Sequence, residues 1–220
     1  ITLKFGFEGG SLWDEPGKEG TASLTFGSLN EGAGDMSAET FLGTLQDEAV
    51  SMAGSPGLKW STVSFQTPTA SIDFAFESLE TMLTDPAFDP EGVERMRRDA
   101  MAGAVQRERS PGAQLGDAFY KALWGADEPR NREFSGDMET IPAITREALM
   151  TLKSRVIGQN NVLIAAVGDI TPDELRTRVG AILDKLPTVT PPEAIDPPTF
   201  NTFEAPIEIE FDQTQSIVFA

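Results

Sequence analysis

The chain has 220 residues, of which 40% are hydrophobic, and this is enough for one large domain or two small ones with a substantial core. Its formal net charge of −18 argues against nucleic acids and anionic membranes as partners, because both attract basic surfaces. With neither cysteine nor histidine, the chain has no disulfide, no Ser-His-Asp triad and no histidine-based zinc site of its own. No apolar run is long enough to predict a transmembrane span.

Residues 1–8 alternate between apolar and polar side chains, which predicts a half-buried strand. The stretch that follows is unusual, because residues 20–30 carry no charge in an otherwise acidic chain. Its apolar residues recur with helical spacing: Ala22, Phe26, Leu29 and Ala33. The opposite side holds small residues: Ser23, Thr25, Gly27 and Ser28. We therefore predict a buried helix here.

Periodicity and capping residues place the remaining elements. Helices are predicted at 37–52, 71–84, 89–109, 110–124, 145–156 and 171–186. Strands are predicted at 58–66, 161–167, 207–211 and 216–219. The helices fall mostly in pairs between single strands, which indicates an α+β two-layer sandwich with a mostly antiparallel sheet covered by paired helices.

The domain organisation follows from a proline-rich stretch near the end of the chain. We predict an α+β domain over 1–186, a stiff connector over 187–199, and strands over 200–220 that close the domain or lead to a missing second domain. Because the chain begins and stops within strand patterns, we expect a longer parent protein.

Two pairs of carboxylates are the candidate cation ligands: Glu31 with Asp35, and Asp85 with Asp89. Neither pair lies in a loop dense in oxygen ligands, so capping and solvation are the favoured roles. The glycine-rich pieces lack the Gly-Lys-Ser/Thr ending of a phosphate loop, and no base is placed to activate a serine. The residues alone indicate no catalytic set.

The order of motifs nevertheless resembles a known family. The segment FEGGSLWDEPGKEG, followed by a helix of small residues, is similar to the pitrilysin/insulinase family of zinc metallopeptidases, which includes the mitochondrial processing peptidases. The resemblance continues through TPTASIDFAFESLETMLTDPAFDPEGVERMRRD, NNVLIAAVGDITPDELRTRVGAILDKLP and FDQTQSIVFA. It covers essentially the whole chain, and it implies the processing-peptidase-like fold of a metallopeptidase half-subunit, with 1–186 as its N-terminal domain.

Active members of the family carry H-x-x-E-H on that helix, with two histidines as zinc ligands and the glutamate as base. Counted from Gly20, the resemblance places the ligand positions on Ser23 and Gly27 and the base position on Phe26. The third ligand, a glutamate, falls near Ala102 or Gly103. We therefore expect no metal, no cofactor and no peptidase activity from the chain on its own.

The resemblance implies a non-catalytic subunit that pairs with an active homologue, or with itself, and helps to form a chamber for peptides. The alternative is a structural scaffold subunit of a larger complex without a proteolytic role. A metal-independent enzyme with the same fold is a minor third possibility. Bacterial members of the family are often periplasmic, so we expect that compartment if a signal peptide has been removed.

Overall fold

The computed structural model describes residues 1–125, 127–202 and 208. Its strands are β1 (Thr2–Glu8), β2 (Ser51–Ser55), β3 (Trp60–Gln66) and β4 (Leu163–Val167). Its α-helices are α1 (Thr21–Gly27), α2 (Ala38–Asp47), α3 (Ile72–Thr84), α4 (Pro90–Glu108), α5 (Pro111–Trp124), α6 (Arg146–Val156) and α7 (Pro172–Leu183). The strands predicted at 207–211 and 216–219 fall on residues outside those described, apart from Glu208.

The four described strands form one antiparallel sheet in the order β2-β3-β1-β4. Phe5 of β1 faces Val63 of β3 on one side and Ile164 of β4 on the other. Alternate residues of the central strands are buried, and they join the apolar faces of the helices in one hydrophobic cluster. The α+β architecture with an antiparallel sheet is therefore confirmed.

The first residues of the helices were predicted more accurately than the strand boundaries, because most of these helices have a capping residue at the predicted position. Ser37, Ser110, Thr145 and Thr171 each accept a hydrogen bond from the backbone N–H three residues on. Asp89 precedes Pro90 at the first position of α4, although its side chain makes no capping hydrogen bond.

The prediction for residues 37–57 was wrong in part. The helix ends at Asp47, and Ala49 then adopts a φ of 54°, which turns the chain out of the helix. Met52, predicted on the apolar face of that helix, lies instead in β2 and faces Phe65 of β3. Gly54, predicted as part of a helix-breaking turn, also belongs to β2.

Strand β4 lies at the edge of the described sheet rather than in its middle. Its almost entirely apolar sequence is typical of a strand that is buried on both faces. In the structure, however, Leu163 and Val167 are 65% and 76% exposed, while Ile164 packs against the core. No helix in the described part of the chain is long and apolar enough to cross a membrane.

Candidate functional site

Helix α1 is the element on which the sequence placed the degenerate zinc motif. It has seven residues, begins after Gly20 and packs against α6, β2 and α4. Gly20 adopts a φ of 94°, and a Cβ there would lie 2.6 Å from the Ser135 carbonyl oxygen. Glycine is therefore required where the chain turns into α1.

The helix is capped by a residue that the sequence analysis did not identify. Asp14 is 3% exposed, and its two carboxylate oxygens accept hydrogen bonds from the Gly20 and Ala22 N–H groups, each at 2.9 Å. Its own carbonyl oxygen accepts a hydrogen bond from Arg132. Asp14 thereby satisfies backbone donors at the start of α1 that would otherwise be buried without a partner.

Burial raises the pKa of Asp14 to about 7, although the hydrogen bonds from Ala22 and Gly20 oppose this shift. The ordinary value is 3.8, so between about pH 4 and pH 7 the folded chain binds more protons at this site than the unfolded chain. The contribution of Asp14 to the free energy of unfolding must therefore fall as the pH rises through that range. We expect Asp14→Asn to abolish this part of the pH dependence.

Urea unfolding of the wild-type chain and of Asp14→Asn at several pH values would check this. The wild type should lose stability relative to the variant as the pH rises from about 4 to about 7. A constant difference between the two across that range would contradict the buried, proton-binding state of Asp14. The other acidic groups are common to both chains and cancel in the difference.

The structure brings the three motif positions together on α1 but gives them different surroundings. Ser23 and Gly27 are half-buried and lie one turn apart. Phe26 is fully buried, with its ring centroid 6.5 Å from that of Phe7. A Cβ at Gly27 would lie 3.3 Å from the Met96 side chain of α4. The base position is thus a core position.

The third position lies on α4. Ala102 and Gly103 are both exposed, and a Cβ added to Gly103 would have no neighbouring atom within 4 Å. Gly103 follows Met96 by two helical turns and so lies on nearly the same side of α4. Neither Ala102 nor Gly103 carries a side chain that can ligate a metal.

Of the paired carboxylates, Glu31 has a structural role. Glu31 is buried, and its carboxylate accepts a hydrogen bond of 2.5 Å from the Arg95 guanidinium in the second turn of α4. Asp35 and Asp85 are exposed, and Asp89 is half-buried. Among the described residues, no group of three or more acidic side chains could hold a metal ion.

Two buried hydroxyl groups have no hydrogen-bond partner among the described residues, namely that of Thr25 on α1 and that of Ser28 directly after it. Because a buried hydroxyl without a partner costs free energy, we expect Thr25→Val to raise the free energy of unfolding by about 1 kcal/mol. Valine keeps the branched shape, so little packing is lost. Thermal unfolding would measure the shift.

The matched control is Thr145→Val, since the Thr145 hydroxyl accepts a hydrogen bond from the Ala148 N–H at the start of α6. That variant should lose about 1 kcal/mol. If Thr25→Val were destabilised as much as the control, the Thr25 hydroxyl would have a partner in solution.

The chain is similar to known proteins in sequence and in fold. No protein-family model matches the chain. The non-peptidase homolog YmxG of Helicobacter pylori is 24% identical over 219 residues, which are 99% of this chain and 50% of that protein. An uncharacterized zinc protease of Mycobacterium leprae is 32% identical over 83 residues, which are 38% of this chain and 18% of that protein.

Solved structures share the fold. The peptidase M16 inactive domain from Pseudomonas fluorescens matches with a TM-score of 0.83 and 22% identity, over 90% of this chain and 48% of that one. Pitrilysin matches with a TM-score of 0.73 and 18% identity, over 90% of this chain and 22% of pitrilysin. The chain thus spans about half the length of YmxG and of the Pseudomonas protein. The chain is therefore similar in sequence to a protein named as a non-peptidase homolog, and it shares the fold of pitrilysin and of a peptidase M16 inactive domain.

Proposed function

We propose that the chain belongs to a non-catalytic subunit that pairs with an active peptidase homologue and encloses a chamber for peptides. The observation that carries this proposal is the chemistry of α1. Its two ligand positions are Ser23 and Gly27, neither of which binds zinc as histidine does. Its base position is Phe26, which packs in the core.

The comparisons support the non-catalytic part of the proposal. One relative is named a non-peptidase homolog and one structural neighbour an inactive domain, and these two cover nearly all of this chain. Since the chain spans about half of each, a complete subunit would supply further surface for pairing. The net charge of −18 suits a chamber that admits basic peptides.

The test compares the purified protein alone with the protein mixed with an active homologue that carries H-x-x-E-H. Alone, it should contain no stoichiometric zinc and cleave no unfolded peptide. In the mixture, it should bind the homologue and raise its peptidase activity. Stable assembly without any gain in activity would favour the scaffold role instead. Tightly bound zinc with peptidase activity in the protein alone would refute the proposal.

A further inference from the structure

A surface cavity lies beside the N-terminal turn of α1, away from the motif positions. Its volume is about 270 Å³, and it separates the loop that leads into α1 from one face of α6. This size is slightly below the usual range for small-molecule sites and is too small for a folded partner. The cavity can accommodate only a small ligand or a short piece of chain.

Two large apolar side chains line the cavity. They are the buried Leu152 of α6 and the half-buried Trp13. The indole N–H donates a hydrogen bond of 2.9 Å to the Glu193 carbonyl oxygen, which holds the ring against the connector. A rigid indole offers a ligand contact area at little cost in conformational entropy.

Three polar residues of α6 line the cavity from one side of that helix. Glu147, Thr151 and Arg155 all line the cavity, and their spacing of four residues places them on the same side of the helix. Glu147 and Arg155 are eight residues apart, so their Cα atoms are separated by about 12 Å along the helix axis. On its α6 side the cavity therefore has a carboxylate at one end, a guanidinium at the other and a hydroxyl between them. The charged residues on the loop side already have partners: Asp14 accepts hydrogen bonds from backbone N–H groups, and Glu15 pairs with Lys18.

The guanidinium is available to a ligand. The Arg155 guanidinium lies 3.9 Å from the Glu15 carboxylate, which is a long contact between two half-exposed side chains. Glu15 is held more closely by Lys18, at 2.8 Å. A carboxylate in the cavity can therefore take Arg155 as its partner while Glu15 keeps Lys18.

We propose that this cavity binds a short peptide with free termini, about three residues long. Its amine would lie at Glu147, its carboxylate at Arg155, and its middle residue against Trp13 and Thr151. Three extended residues span about 10 Å, close to the separation of about 12 Å between the Glu147 and Arg155 Cα atoms along the helix axis. Charge-assisted hydrogen bonds at both ends fix length and direction. This inference does not depend on the proposed pairing with an active homologue.

Calorimetric titration at neutral pH with trialanine tests the proposal on the intact chain. We expect saturable one-to-one binding with a Kd of about 1 mM or lower. Acetylation of the amine or amidation of the carboxylate should each weaken binding about tenfold, since each removes one charged end. Free alanine, which cannot reach both ends, should bind at least as weakly as the modified peptides.

Variants assign the two ends. Arg155→Gln should remove the preference for the free carboxylate over the amide, and Glu147→Gln should remove the preference for the free amine over the acetylated form. Both side chains are exposed, so the fold should be kept. Arg98→Gln, on the exposed side of α4, is the matched control and should bind trialanine as the wild type does.

Three results would overturn the proposal. The first is the absence of saturable heat up to about 10 mM trialanine. The second is an affinity that neither acetylation of the amine nor amidation of the carboxylate changes. The third is a terminal preference that survives in Arg155→Gln and in Glu147→Gln, because the peptide would then bind elsewhere.

Discussion

Replacing Gly54 by alanine is expected to lower the free energy of unfolding by about 3 kcal/mol. Gly54 lies in β2, and a Cβ there would come within 2.0 Å of the Phe26 carbonyl oxygen and 3.3 Å of Leu29 Cδ1. The nearest atom belongs to the backbone, so no side chain can rotate away from the added methyl group. Helix α1 and β2 would have to separate, which would loosen the core around Phe26.

The matched control is Gly43→Ala in the middle of α2. A Cβ at Gly43 would have no heavy atom within 4 Å, and alanine favours a helix over glycine by about 1 kcal/mol. The control should therefore be more stable than the wild type. Urea denaturation of the three chains would measure both changes. If Gly54→Ala were as stable as Gly43→Ala, the result would show that α1 and β2 are not in close contact at Gly54.

The position of β2 shows where sequence reasoning ends. Its five residues, SMAGS, include one large apolar side chain, so they carry no clear period. What makes them a strand is pairing: Met52 lies opposite Phe65, and Gly54 opposite Val63. This partner is the next strand along the chain, but five residues with a single large apolar side chain give no period that would reveal the pairing. The close approach of α1 that requires Gly54 is a tertiary contact, and it leaves no local signal.

The helices give the opposite result. Helix α3 was predicted from Ile72, Phe76, Leu79 and Leu83, and all four are buried in the structure. Here the period and the caps are local, and tertiary packing agrees with them. The assignment of the degenerate motif to α1 came from the resemblance, not from periodicity, and it stays a prediction. The comparisons confirm the likeness of the chain to proteins of that kind.

Asp14 lies between these cases. Its hydrogen-bond partners, Gly20 and Ala22, are six and eight residues further on, beyond the spacing of a capping box. The loop that contains Pro16 and Gly17 carries the chain back so that Asp14 reaches the start of α1. The sequence does show an acidic residue shortly before a turn and an uncharged helix. That pattern suggests a capping role, but it does not specify which backbone N–H groups the Asp14 carboxylate would contact.

The second large effect is expected at the base position. Phe26→Glu should lower the free energy of unfolding by about 4 kcal/mol or more, because it removes a buried ring and buries a carboxylate in its place. Phe26 is fully buried, and its ring packs against that of Phe7, which offers a carboxylate no hydrogen bond. Phe26→Leu, which stays apolar, is the matched control and should cost about 1 kcal/mol.

Restoring the whole motif should fail for the same reason. In the triple variant Ser23→His, Phe26→Glu, Gly27→His, the glutamate would enter the core, and a side chain at Gly27 would meet Met96. The third position, at Ala102 or Gly103, would still lack a carboxylate. We expect a destabilised chain without zinc-dependent proteolysis, measured by urea unfolding, zinc content and cleavage of an unfolded peptide. A folded triple variant that binds zinc and cleaves the peptide would show that α1 kept the geometry of an active site, and that packing around Phe26 had not replaced it.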